Sequence, residues 1–133
     1  MTTKKETKRL TVTDILKEKE KYSVDKQETK DVTISRLNAE VLIRKPEKSL
    51  CMETFQMNRD EDTADSADAY MVYNTMVEPD LKDAALQAEF GVREPLEIVD
   101  KIFEPGEVAQ LAELAMEMAG FKKGVVAVKT AKN

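Results

Sequence analysis

The stretch Pro105-Gly106-Glu107-Val108-Ala109-Gln110-Leu111-Ala112-Glu113-Leu114-Ala115-Met116-Glu117-Met118-Ala119-Gly120 decides the fold. Val108, Leu111, Ala112, Ala115 and Met118 recur at three- and four-residue spacing, and Leu114 widens the stripe. Residues 107–119 therefore read as an amphipathic helix whose apolar side needs a partner. Gly120 ends it, because glycine accepts the left-handed backbone of a helix C-terminus without steric cost. Pro105-Gly106 breaks the chain ahead of it.

The same period extends backwards to residue 66. Pro95 suits the first position of a helix in which Ile98, Val99, Ile102 and Phe103 form a stripe. Before that, Asp80 reads as the N-cap of a helix carrying Leu81, Ala84, Ala85 and Ala88 on one side, with Asp83 at its positive end and Gly91 beyond its last turn. Tyr70, Tyr73, Met76 and Val77 mark a further helix, capped by Ser66 or Asp65 and stopped by Pro79.

Ahead of these helices the pattern changes. Residues 58–65 form the most polar window and read as a surface loop; they lack the glycine and the twelfth-position glutamate of a calcium-binding loop. Residues 47–57 fit either an extended segment or a short helix. Residues 31–37 and 40–44 are β-rich, and Asn38-Ala39 between them predicts a hairpin that Pro46 ends. Leu10-Thr11-Val12-Thr13-Asp14-Ile15-Leu16 precedes the run Lys17-Glu18-Lys19-Glu20-Lys21 and reads as a short helix, capped by Thr13 or Asp14, that packs Val12, Ile15 and Leu16. Val125-Val126-Ala127-Val128 is a candidate edge strand.

The expected fold is therefore α+β, mainly α: a small bundle of short helices with an N-terminal β-hairpin and a candidate C-terminal edge strand. At 133 residues it fits one domain. Within it, residues 1–9 form a flexible basic arm, 10–57 a helix-plus-hairpin region, 58–65 an acidic loop, 66–120 the helical region and 121–133 a basic tail.

Composition narrows the chemistry. The chain has no histidine, which removes the commonest general base, the Ser-His and Cys-His nucleophile systems, and imidazole-dependent zinc or iron sites. Its one cysteine, Cys51, cannot form an internal disulfide, fits a reducing cytosol, and reads as a small buried hydrophobe between Leu50 and Met52. The glycines at 91, 106, 120 and 124 are too scattered to cradle a phosphate. Carboxylate groups such as Asp60, Asp62 and Asp65, or Glu94 and Glu97, lie in polar windows where solvation is expected. No catalytic residue, metal ligand or cofactor is expected. No secretory signal follows the basic first residues and no run approaches the length of a membrane span, so no membrane partner is expected either.

The net charge of −5 conceals a partition. Residues 1–30 are net +3, residues 53–107 are net −11, and the tail after Met118 is net +4. A body this acidic repels phosphate backbones, and no nucleic-acid partner is expected. Seven methionines suit surfaces that adapt to a partner, although ordinary core filling is the plainer reading, particularly for Met76 and Met118. The candidate partner-binding residues are Tyr70, Tyr73, Met76, Leu111, Met116 and Met118 from the helices, with Phe121, Lys122 and Lys123 from the tail.

The order of pieces resembles the XkdN-like phage tail assembly chaperones of tailed phages, prophages and phage-tail-like particles. The resemblance is carried by residues 10–16, by Val41-Leu42-Ile43-Arg44-Lys45-Pro46, by Glu78-Pro79-Asp80-Leu81-Lys82-Asp83, by Glu94-Pro95 through Ile102-Phe103, by Pro105-Gly106-Glu107-Val108, by Ala119-Gly120-Phe121 and by the closing Lys132-Asn133. It implies a non-enzymatic protein of the host bacterial cytoplasm that coats the tape measure protein, helps recruit tail tube subunits and is not expected in the mature particle. It also implies a longer product made by ribosomal frameshifting, for which the lysine-containing residues 129–133 are the natural place. Partners would then be the tape measure and tail tube proteins and the longer form of the chain; apart from the resemblance, a second copy in a homo-oligomer is a candidate, because Val125–Val128 as an edge strand either pairs across subunits or folds back on the hairpin. A different class, an acidic adaptor or antitoxin-like inhibitor of a basic bacterial protein, is compatible with the same charge partition.

Overall fold

The structure is a computed structural model and describes residues 7–129. The expected hairpin is present as β1 (Thr29–Ile34) and β2 (Ala39–Arg44), antiparallel, with Thr29 opposite Arg44 and Ile34 opposite Ala39. Ala39 is already paired, so the connection is not a two-residue Asn-Ala turn. It is a 3-10 turn over Ser35–Leu37 followed by Asn38 at φ 48°, a left-handed position that asparagine tolerates.

Residues 47–57 resolve as helix: α3 spans Lys48–Arg59, takes Asn58 and Arg59 out of the expected loop, and buries Leu50, Cys51 and Thr54. The shortened acidic loop is held by Asp60 Oδ1, which accepts from the Asp62 N–H at 2.9 Å, and by the Thr63 hydroxyl, which donates to the Met57 carbonyl at 2.9 Å. A 3-10 turn, Ala64–Ser66, leads into α4 (Ala67–Thr75).

Here the structure corrects the sequence reading. The helix does not run through Met76 and Val77 to Pro79; the chain extends at Met76 and forms β3 (Met76–Glu78) on the open side of β2, with Ile43 opposite Met76 and Leu42 opposite Glu78. Pairing with β2 gives these backbone groups partners that another helical turn would otherwise supply. The sheet order is β1-β2-β3, and the Glu78–Pro79 bond is cis.

A second correction concerns α5 (Ala84–Glu89), which Asp83 caps rather than Asp80. Asp83 Oδ1 accepts from the Leu86 N–H at 2.9 Å, whereas Asp80 Oδ1 accepts from the Lys82 N–H at 3.0 Å and turns the chain so that Leu81 enters the core. Ala84, Ala85 and Ala88 are exposed, so the expected alanine side packs against nothing large. Gly91, at φ 62°, follows the helix as expected.

Helix α6 (Glu97–Ile102) buries Ile98 and Val99, and Phe103 beyond its end is buried too; Pro95 lies in the turn before it rather than at its first position. Helix α7 (Pro105–Met118) begins earlier than expected. Pro105 opens the helix instead of breaking the chain, because the missing N–H is one that a first turn leaves unpaired anyway. Val108, Leu111, Ala112 and Ala115 are buried, α7 packs on α4, and Gly120 at φ 94° closes the helix as expected.

The core lies between the sheet face bearing Ile34, Val41, Ile43 and Met76 and the helices α3, α4, α6 and α7. Its two buried hydroxyls are satisfied locally: Thr54 donates to the Cys51 carbonyl at 2.8 Å and Thr75 to the Met71 carbonyl at 2.7 Å. Arg36, on the hairpin connection, ties sheet to bundle. Its guanidinium donates to the Ile102 carbonyl at 2.8 Å and to both Glu107 oxygens at 3.0 Å, while Glu107 Oε1 also accepts from the Glu104 N–H at 2.9 Å.

The ends differ. Helices α1 (Val12–Lys17) and α2 (Lys19–Tyr22) bury no residue. The cap of α1 is Thr11, not Thr13 or Asp14: Thr11 Oγ1 accepts from the Asp14 N–H at 3.2 Å and Asp14 Oδ2 from the Thr11 N–H at 3.1 Å, a reciprocal box. Val12 and Leu16 are 72% and 76% exposed, so the expected packing of this helix is not found; its six residues bury no side chain on the bundle or the sheet. At the other end residues 125–128 form no strand, and Val126 and Val128 are 88% and 93% exposed. Of the expected arm and tail, residues 1–6 and 130–133 lie outside the described residues. The architecture is α+β and mainly α, as the sequence implies.

Candidate functional site

Where the core meets the ends, apolar side chains stay open to solvent and line a cleft of about 600 Å³. Three separate segments build it: residues 24–27 before β1, residues 45–48 with Cys51 and Met52 of α3, and residues 118–121 at and just beyond the end of α7. Lys45 holds the first segment in place. Its N–H donates to the Glu28 carbonyl at 2.8 Å, and its ammonium donates to the Val24 carbonyl at 2.9 Å and pairs with the Glu28 carboxylate at 3.5 Å.

Arg44 sets the α3 wall. Its guanidinium reaches the Asn74 carbonyl at the end of α4 at 2.7 Å and the Glu47 carboxylate at 3.3 Å. Glu47 is held below the usual carboxylate range by its own backbone N–H and by Arg44. The third wall depends on Phe121, whose ring meets Phe55 edge-on at a centroid distance of 5.1 Å, and whose N–H donates to the Met116 carbonyl at 3.0 Å.

The cleft therefore has an apolar lining of Pro46, Cys51, Met52, Met118 and Phe121 under a rim of mixed charge. Burial pushes the Cys51 thiol up from its ordinary value, so it is protonated at neutral pH and is no activated nucleophile. Flexible thioethers beside an aromatic ring suit contact with apolar segments of varied shape.

The family model of the XkdN-like phage tail assembly chaperone proteins matches residues 2–132. The chain belongs to that family. It is also similar to the crystal structure of the protein yqbn, with a TM-score of 0.59 and 21% identity, over 72% of this chain and 87% of that one. That likeness is one of fold. No curated protein matches the chain. Membership assigns the chain to phage tail assembly and bears out the resemblance carried by its motifs.

Among the residues expected to contact a partner, Met118 and Phe121 line the cleft, and the exposed Lys122 and Lys123 follow directly. Met116 lines a separate groove between α3, α4 and α7. Tyr70 is half-buried and its hydroxyl donates to Glu53 Oε2 at 2.8 Å, which pushes its pKa up; Tyr73 is half-buried with the Lys82 ammonium 5.2 Å above its ring. Met76 and Leu111 are core residues at 7% and 3% exposure, because β3 faces the bundle and Leu111 lies on the side of α7 turned towards Val32 and Ile34 of β1. The nine residues thus do not form one surface.

Sequence reasoning missed Pro46, Met52 and residues 24–27 as cleft residues. Met52 was visible only as one of seven methionines, and no local pattern announces that Lys45 draws the segment before β1 across α3. None of the helices among the described residues is long and apolar enough to cross a membrane.

Proposed function

We propose that this chain binds the tape measure protein during tail assembly, keeps it in solution and helps recruit tail tube subunits, without catalysis and without remaining in the finished particle. The host cytoplasm is where this work is done. The observation that carries the reading is the cleft: methionine and phenylalanine side chains stand open to solvent on a body that belongs to a tail assembly chaperone family. An apolar segment of the client lies against Met52, Met118 and Phe121, while the acidic body keeps complexes apart by charge repulsion.

Tyr70, Tyr73 and Met116, half-exposed on the bundle, and Lys122 and Lys123, beyond the cleft, extend the contact. A longer form made by frameshifting over residues 129–133 adds a further tail partner; a second, heavier product seen by mass spectrometry of a phage-infected lysate tests it.

Co-expression with the tape measure protein tests the main reading. The native chain is expected to move the client into the soluble fraction, and Met52→Asp combined with Phe121→Asp to lose that effect while keeping the native circular dichroism. A tape measure protein just as insoluble with the native chain as without it overturns the proposal.

A further inference from the structure

The first wall of the cleft is held differently from the other two. Residues 23–28 belong to no helix or strand, and residues 24–27 are exposed, Val24 to 75%. No apolar burial therefore holds this wall down. Among the described residues, the one hydrogen bond that residues 24–27 make is accepted by the Val24 carbonyl from the Lys45 ammonium at 2.9 Å, and neither Asp25 nor Lys26 takes part in an ion pair. By contrast, Arg44 anchors the second wall on the Asn74 carbonyl, and the third is fixed by Phe121 on Phe55 and on the Met116 carbonyl.

What precedes this wall leaves it free to move. Helices α1 and α2 bury no residue, and among the described residues no hydrogen bond or ion pair joins residues 7–23 to the chain from Glu28 onward. The polar ties of residues 7–27 to the body thus reduce to the contact between Lys45 and Val24. Lys45 itself is firmly placed. It directly follows β2, its N–H donates to the Glu28 carbonyl at 2.8 Å, and its ammonium stands 3.5 Å from the Glu28 carboxylate on a side chain that is 20% exposed. A swing of the wall about Glu28 breaks one hydrogen bond and displaces no core residue.

We infer that residues 23–27 form a lid over the cleft, hinged at Glu28 and latched by the Lys45 ammonium on the Val24 carbonyl. With the lid shut, the cleft of about 600 Å³ has the size of a pocket for one small ligand, room for a few side chains of a client. With the lid lifted, the cleft loses that wall, and a longer apolar segment lies along Met52, Met118 and Phe121. Opening draws on the least stable part of the chain, where local unfolding costs least. Lys45 is a positioning residue: it acts on the client through the lid. The purpose of the lid rests on the reading of the cleft as a client site; its geometry does not.

Trypsin cleavage of the full chain after Lys26, followed by mass spectrometry, reads the lid, because the protease takes the segment only while it is lifted. Lys45→Ser removes the latch and adds no apolar surface. It is expected to keep the native circular dichroism and to raise the cleavage rate after Lys26 at least about tenfold, the size of a lost hydrogen bond to a charged group. Cleavage after Lys123, in the tail, keeps its rate. The dye anilinonaphthalene sulfonate probes the cleft itself. Its apparent affinity scales with the fraction of open cleft, so Lys45→Ser is expected to tighten its binding by the same factor, and adding Met52→Asp to abolish the gain. An unchanged rate after Lys26 overturns the lid, and faster cleavage with unchanged dye affinity overturns its control of the cleft. A lost native spectrum would make Lys45 part of the fold rather than a latch and overturns the proposal as well. Neither measurement contains the tape measure protein, so a client that stays insoluble defeats the client reading and leaves the lid standing.

Discussion

The body from β1 to α7 and the two ends obey opposite rules. In the body, Ile43, Met71, Val72, Leu81, Ile98 and Val99 are all at most 1% exposed, both buried hydroxyls have acceptors, and guanidinium groups bridge elements distant in sequence. At the ends, Val12, Leu16, Val126 and Val128 face solvent. The ends are not simply polar leftovers, because they carry aliphatic side chains that stay exposed. Folding free energy resides in the body and unsatisfied apolar surface resides at its margins, which suits a protein whose work is contact.

The contrast can be broken by substitution. Ile98→Ala, deep in the body, is expected to cost about 2–5 kcal/mol of unfolding free energy in urea denaturation, the range for truncating a large buried aliphatic side chain. A loss no larger than that of a surface substitution would mean that the body is not the stabilising unit. Asp83→Ala removes the side-chain acceptor at the start of α5 and should cost about 0.5–2 kcal/mol; an unchanged denaturation midpoint would show that α5 is held from elsewhere.

The Arg36–Glu107 clamp sharpens the comparison through pH. The Arg36 guanidinium first, and then the Glu104 N–H, hold Glu107 below its ordinary value of 4.5. A carboxyl whose pKa falls on folding stabilises fully above its unfolded value and loses that contribution as pH drops through the lowered folded value. Thermal melts of Glu107→Gln should therefore lie below those of the native chain at neutral pH, and the gap should narrow under acid conditions. A gap independent of pH would show that charge is not what the clamp contributes. Smallest of all, Val126→Ser should change stability by no more than about 0.5 kcal/mol, and a larger loss would show that this end packs on the body after all.

What was legible in the sequence follows from the range of the forces involved. Helix α7 could be read because its stripe, its proline and its glycine all lie within one window, and the hairpin because β1 and β2 are neighbours. Strand β3 could not, since Tyr73 and Met76 keep helical spacing while the backbone turns extended only where Ile43 waits as a partner. The choice between Asp80 and Asp83 as cap rests on where Leu81 finds the core, a tertiary fact. The site was legible in part. Met118 is legible as a methionine on the readable helix and Phe121 as the first residue of the tail beyond it, whereas Pro46 and Met52 reach the cleft through the contacts of Lys45 and Arg44, and Met76 and Leu111 have the hydrophobic character of a contact residue while serving the core.

Cys51 gives the cleft a gauge of its own. It is the single thiol in the chain, it lies in the cleft lining, and it is 1% exposed. A maleimide added to the protein therefore meets one target, and it meets it only in the fraction of time that α3 lifts from its neighbours. The labelling rate becomes a clock for that breathing, slowed by whatever settles over Met52 and Phe121, and readable without introducing any probe.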